Sequence, residues 1–285
     1  MQKPENLLSP CSLPPAPCGL NDKSFTGHDM MMALTAYGSL CTEVYNLTKP
    51  IGGEYPDVPY YIKHLSKIGG RILEAMVGTG RLLIPLLEAN LNVEGIDSSE
   101  DMLASCRHHC TQRGLAPVLH HGYVENLDLS GKFKAIVVSF GSFMLLEKRN
   151  AAVAALQAFA KHLEPQGRIF IDLELPIEDF KTENIVKQRS PIECLDGSII
   201  LMQMTSRIDW LNQLNMSVIR YEKWKDGELI ATELQRFPLH WFGRDEFIMC
   251  LQENGYKDIS LCANYTDGQQ PSSHKDTLCF SAVLA

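Results

Sequence analysis

Arg71-Ile72-Leu73-Glu74-Ala75-Met76-Val77-Gly78-Thr79-Gly80 is the stretch that decides the fold of this 285-residue chain. An apolar run closing on Glu74 has the length of a buried strand, and it leads through a Gly78-Thr79-Gly80 turn into Arg81-Leu82-Leu83-Ile84, which reads as the start of a helix. Two residues without a Cβ let the backbone bend sharply and let a ligand reach its amide groups, and the positive end of the helix faces the same point. Residues 91–96 then read as the next parallel strand. It ends on Asp97, about 20 residues beyond the glycines, where an acid can accept hydrogen bonds from a pair of ribose hydroxyls. An ordinary strand–helix turn and a capping aspartate would explain each feature singly. Their joint spacing predicts a pocket for a nucleotide-bearing cofactor.

The loop narrows the choice of cofactor. A nicotinamide or flavin fingerprint needs a third small residue, and that position holds Leu83. Glu74 would repel a pyrophosphate, whereas it suits a cofactor carrying an amino group and a sulfonium. These residues favour S-adenosyl-L-methionine. Ile72-Leu73-Glu74-(x3)-Gly78-Thr79-Gly80-Arg81 followed by Gly95-Ile96-Asp97-Ser98-Ser99-(x2)-Met102-Leu103 resembles motifs I and II of the class I S-adenosylmethionine-dependent methyltransferases of small-molecule type. Gly122-Tyr123-Val124-(x2)-Leu127 is similar to the adenine-side motif of that family. The run from Phe133 to Phe143 resembles its fourth strand and substrate-facing loop, and Leu163-Glu164-Pro165-Gln166-Gly167 its turn into strand five. Trp241 to Phe247, then Leu251 and Gly255-Tyr256, are similar to its last helix and strand six.

The resemblance implies an α/β fold: a Rossmann-like, mostly parallel seven-stranded sheet with helices on both faces, an N-terminal helical cap and an inserted antiparallel β meander. It implies that the cofactor is held by Glu74, Ala75, Met76, Gly78, Thr79, Gly80 and Arg81 in the first loop, and by Asp97, Ser98 and Met102 after the second strand. Tyr123 and Val124 would lie on the adenine side, and Phe140 and Gly141 beyond the fourth strand. In this set Asp97 would hold the ribose hydroxyls, while Glu74 would order the loop or the cofactor ammonium. Two residues depart from the family pattern. Met76 stands where the first glycine is usual, and Tyr123 stands where an acid often bonds the adenine amino group, so adenine would rely on stacking and backbone groups.

Composition limits the partners. A formal net charge of −8 argues against a broad nucleic-acid surface, whose affinity comes largely from Lys and Arg. No apolar run reaches the ~20 residues of a membrane helix, and residues 1–20 lack the basic start and apolar core of a signal peptide. Nine cysteines without paired spacing fit a reducing compartment, so the expected location is cytoplasmic. Cys106-Arg107-His108-His109-Cys110, with His120 and His121 close by, contains zinc-ligand residue types, but without a Cys-x-x-Cys pair it reads as a helix and no metal is expected.

Along the chain, prolines without apolar periodicity mark residues 1–24 as a mobile segment. By the resemblance, residues 25–285 are expected to form the methyltransferase domain. A helix over 28–48 and another over 57–67 make the cap (25–68); 69–175 is the cofactor-binding core; 176–240 is the meander, with strands over 198–210, 214–224 and 228–239 and an Asp226-Gly227 hairpin turn; 241–285 is the last helix and strands. The meander has two candidate roles, a roof over the acceptor pocket and a homodimer surface.

The loop Ser139-Phe140-Gly141-Ser142 is not the Asn/Asp-Pro-Pro-Tyr loop that binds a planar amide or base amine, nor does it carry a Pro-Cys nucleophile. In-line transfer to nitrogen or oxygen of a small-molecule methyl acceptor is therefore expected. Tyr37, Tyr45, Ser142, Phe143, His240 and Trp241 are the candidate acceptor-binding residues, with core aromatics and a capping serine as the plainer alternatives. No residue stands out as a general base, because a lone histidine can equally fill a structural role. Met76, Tyr123 and the missing base keep a second reading open, a protein of this fold that binds the cofactor without transferring methyl.

Overall fold

The computed structural model describes residues 37–285; the segment 1–24 and the first part of the helix predicted over 28–48 lie outside them. Strands β1 (Arg71–Ala75), β2 (Asn92–Asp97), β3 (Leu119–His121), β4 (Phe133–Val138) and β5 (Leu163–Leu173) pair in parallel, β1 lying between β2 and β4. β1, β2 and β4 are buried through consecutive residues, as strands are when helices cover both faces of a sheet. The last two strands of the chain, β11 (Tyr256–Ala263) and β12 (Leu278–Leu284), complete the sheet, with β12 antiparallel to both β5 and β11. The spatial order is β11-β12-β5-β4-β1-β2-β3.

On one face, Phe159 of α5 (Arg149–His162) and Phe247 of α6 (Arg244–Glu253) pack with Leu73, Ile136 and Phe280. On the other, Tyr61 of α2 (Asp57–Leu65), Leu83 of α3 (Leu83–Glu88) and Leu103 of α4 (Glu100–Gln112) pack on Ile72 and Val137. Cys106 and Cys110 sit on the buried side of α4, with Arg107 and His108 exposed. Among the described residues no group of three or more His, Cys, Asp or Glu is placed to hold a metal.

Gly80 sits where α3 meets the sheet, at φ +85°, and a Cβ there would lie 2.8 Å from Cys106 Sγ. Gly80→Ala combines left-handed strain with overpacking and is expected to cost roughly 2–4 kcal/mol, measured by urea unfolding. A loss below about 0.5 kcal/mol would mean that the turn has room for a side chain.

The second sheet is antiparallel. Its long strands are β8 (Ile199–Asp209), β9 (Leu214–Lys225) and β10 (Glu228–His240), with the short β6 (Lys187–Gln188) and β7 (Ile192–Glu193) both on β8. Asp226 at φ 52° and Gly227 at φ 83° form the left-handed pair that a two-residue hairpin turn requires. Ile200, Met202, Ile219 and Tyr221 pack with Leu40, Cys41 and Val44 of α1 (Ser39–Thr48) and with Met102 of α4. Glu233 Oε2 accepts the Leu40 N–H at 2.8 Å at the start of α1, and Lys223 pairs with Glu43 at 2.7 Å. Asn46 donates to Ser105 Oγ of α4 at 2.9 Å. Helix α1 is thus fastened between the parallel core and the antiparallel sheet. Among the described residues no helix is long and apolar enough to cross a membrane.

Candidate active site

Glu74 lies at the carboxyl end of β1, 3% exposed, and its Oε2 has no hydrogen-bond partner among the described residues. Burial pushes its carboxyl well above the usual range, against the opposing pull of the Arg81 guanidinium. A buried carboxylate oxygen without a donor is costly until a cation reaches it. Beside it Gly78 adopts φ +55°, and the space a Cβ would enter is open. Asp97 Oδ2 accepts the Gly78 N–H at 2.8 Å and Oδ1 accepts the Ser99 N–H at 2.9 Å, so this one side chain ties the glycine turn to the end of β2. A carboxylate offers about four acceptor sites, which leaves capacity for a hydroxyl pair. An orphaned acid, an open glycine edge and a ribose-type acid suit the amino group and nucleoside of S-adenosylmethionine.

The remaining residues of the predicted set are distributed around this turn. Ala75 is buried in β1, and Thr79 is 1% exposed, its Oγ1 without a partner among the described residues. Met76 takes φ 61°, so the loop keeps a glycine-like path with a methionine in it, and its side chain packs against the core. Ser98 is exposed, whereas Met102 is 2% exposed in the cluster formed with α1 and the antiparallel sheet. Tyr123 is 60% exposed and precedes the 3-10 turn Val124–Asn126, with Val124 buried. Ser99, absent from the set, caps α4 by accepting the Met102 N–H and donates to the Tyr37 carbonyl at 2.7 Å, which brings the start of the cap to the second motif.

Arg81 is engaged by α2. Its guanidinium makes two hydrogen bonds to Asp57, at 3.0 and 2.6 Å, with both residues buried, and it stacks on Tyr55 and Phe140. Asp172, near the end of β5, organises the β4 loop. It accepts from Tyr61 Oη at 2.7 Å, Tyr265 Oη at 3.0 Å and the Phe140 N–H at 3.0 Å. Phe140 (φ 56°) and Gly141 (φ 70°) are consecutive left-handed residues, a bend that the Asp172 bond to Phe140 helps to hold.

Burial pushes the Asp172 carboxyl up to about 7, against the three donors that favour its charge. A folded-state value above the unfolded one means that stability from this group is full below about pH 4 and declines as pH rises towards 7. Asp172→Asn is expected to remove that part of the slope. Melting curves between pH 5 and 8 check it, and an unchanged slope in the variant would assign the pH dependence elsewhere.

A cavity of about 300 Å³ lies beyond this loop. Phe140, Gly141, Ser142 and Glu174 bound it at the carboxyl ends of β4 and β5, Tyr37, Tyr45 and Lys49 line it from the cap, and Met202, Tyr221 and Phe237 from the antiparallel sheet. Three of the six candidate acceptor residues, Tyr37, Tyr45 and Ser142, are on its wall. Phe143, His240 and Trp241 are not. Phe143 is fully buried against Phe242 and Phe247; the His240 Nδ1–H donates to the Leu146 carbonyl at 3.2 Å; Trp241 packs edge-on against Phe180 and Trp210. Strand alternation gives the reason for His240, since Leu239 points into the cavity and its neighbour points away.

Residues 72–167 match the family described as a methyltransferase domain. The strand order and the glycine loop at the end of β1 place the rest of the sheet around that domain. The chain contains a methyltransferase domain and has the class I methyltransferase fold. Its cofactor is S-adenosyl-L-methionine. The chain is 25% identical over 215 residues to YqeM of Bacillus subtilis, itself described as a putative methyltransferase, a match covering 75% of this chain and 83% of that one. It is 30% identical over 141 residues to the dTDP-3-amino-3,6-dideoxy-alpha-D-glucopyranose N,N-dimethyltransferase of Streptomyces fradiae, covering 48% of this chain and 54% of that relative. The match thus spans about half the length of the aminosugar enzyme. The structure superposes on the sugar N-methyltransferase KedS8 from a Streptoalloteichus species with a TM-score of 0.66 at 20% identity, over 94% of this chain and 99% of KedS8, a likeness of fold.

Proposed function

We propose that this methyltransferase transfers the methyl group in line to the amine nitrogen of a small molecule held in the cavity between the β4 loop, α1 and the antiparallel sheet. The carrying observation is the cavity itself. At about 300 Å³ it suits a small molecule, and it is bounded by Phe140, whose ring Arg81 of the glycine turn covers at 4.4 Å.

Bound S-adenosylmethionine supplies an electrophilic methyl carbon on a sulfonium. The chain's task is to hold and orient. Glu74 Oε2 receives the ammonium, Asp97 receives the ribose hydroxyls, and the cavity must set the nucleophile roughly 3–3.5 Å from the methyl carbon on its axis. Tyr37, Tyr45, Tyr221 and Phe237 give aromatic walls that exclude water from the nucleophile. An amine already neutral needs no base, which agrees with a wall whose one carboxylate among the described residues is that of Glu174. The names of the Streptomyces fradiae enzyme and of KedS8 support nitrogen over oxygen as the acceptor. The orphaned Glu74 and these enzymatic relatives favour transfer over cofactor binding alone.

The test is incubation of the purified chain and S-adenosylmethionine with matched small amines and alcohols, reading S-adenosylhomocysteine and methylated product by mass spectrometry. Methylated amines are expected. Methylation of alcohols alone, or of none of the panel, would refute the amine reading.

A further inference from the structure

The acceptor cavity holds two cations without a carboxylate partner. Lys49, at the end of α1, points its Nζ at the faces of Phe140 and Tyr45, 4.2 and 5.0 Å from the ring centroids. Among the described residues no carboxylate lies within ion-pair distance of it. Glu174, on the same cavity, accepts from Thr277 Oγ1 at 3.2 Å, and its charge reaches Lys49 only beyond ion-pair distance. Arg189, an exposed residue between β6 and β7, borders the cavity from the other side, its backbone N–H bonded to the Met202 carbonyl at 3.1 Å. Its guanidinium likewise has no ion pair among the described residues. The rest of that wall is apolar, with Met202, Met204, Ile219 and Leu239. Lys49 and Arg189 against the single carboxylate of Glu174 leave this wall with more positive than negative charge, in a chain whose net charge is −8.

We propose that Lys49 and Arg189 recognise an oxyanion on the methyl acceptor, so that the substrate is a small amine bearing a carboxylate or phosphate. This rests on the amine-acceptor reading above. An ammonium has three donors, and aromatic faces use none of them as an oxygen would. Burial and the neighbouring Arg81 push the Lys49 amine down to about 8, so its charged form is held at a cost that an anion would offset. In a partly desolvated cavity a charge-assisted bond to carboxylate or phosphate is strong and directional. Anchoring the acid end at two points also limits how the amine end can turn, which favours alignment with the methyl carbon.

Calorimetric titration of the chain saturated with S-adenosylhomocysteine tests this with two probes, malonate for a carboxylate and inorganic phosphate. Saturable binding of one or both is expected, and whichever binds more tightly identifies the oxyanion. Lys49→Met and Arg189→Met should each weaken it roughly tenfold, and Lys49→Arg should retain it. Affinity for S-adenosylhomocysteine should stay within about twofold in all three variants, since such a change is near 0.4 kcal/mol. Absence of saturable binding, or equal binding in the variants, overturns the proposal. So does a large loss of S-adenosylhomocysteine affinity in Lys49→Met, which would put Lys49 on the cofactor's own carboxylate. Because the readout needs no turnover, it fails or succeeds independently of the amine panel.

Discussion

Asp97→Ala is expected to weaken S-adenosylhomocysteine binding by roughly 30- to 100-fold, equivalent to losing about 2–3 kcal/mol of hydrogen bonding to a charged acceptor. The side chain has two duties. Its oxygens hold the N–H groups of Gly78 and Ser99, and we propose that its remaining lone pairs take the ribose hydroxyls. Burial raises its pKa while those backbone donors oppose the rise, as expected of a carboxylate whose charge is held by neighbouring amides. Asp97→Asn should fall between the wild type and alanine, because its amide NH2 would oppose one of the two backbone donors. Calorimetry measures the affinities, with melting curves to show that the fold persists. Unchanged affinity in Asp97→Ala would remove the ribose assignment.

The largest expected loss of stability belongs to the Arg81–Asp57 pair. Both residues are buried, at 3% and 0% exposure, and two hydrogen bonds join them. Removing one partner leaves an uncompensated buried charge, so Arg81→Met or Asp57→Ala should each cost roughly 3–5 kcal/mol in urea unfolding. Arg81→Met would in addition take away the one cation that lowers the raised carboxyl of Glu74. The double change Arg81→Met with Asp57→Leu should cost less than the sum of the singles, because no lone charge then remains. Singles that cost under about 1 kcal/mol would mean that water reaches the pair and that it does not anchor α2.

The parts of this protein that read directly from the sequence are those whose causes are local. The turn after β1, the acid closing β2 and the Asp226-Gly227 hairpin each depend on a few adjacent residues, and in the structure β1 ends before that turn, β2 ends on Asp97 and residues 226 and 227 are left-handed. The seven-stranded sheet follows from apolar runs alternating with helices and from the family motifs spaced along it.

The acceptor side is far less legible. Tyr61 and Asp172 are 111 residues apart, Arg81 and Asp57 are 24 apart, and nothing in either local pattern announces the partner. Asp172 leaves one signal, an acid inside the apolar run of β5. Lys49 and Arg189 reach one cavity only because α1 is clamped to the antiparallel sheet by Glu233 and Lys223, contacts spanning 193 and 180 residues. Phe143 and His240 are adjacent in sequence to cavity residues and still point into the core. Adjacency along a chain does not set the face on which a side chain emerges.

A crystal structure of the chain with S-adenosylhomocysteine tests the central claim most directly. The account predicts the ammonium on Glu74 Oε2, the ribose on Asp97 and the sulfur facing the cavity beside Phe140. A sulfur directed away from that cavity, or an adenosine bound elsewhere than beside Asp97, would contradict it.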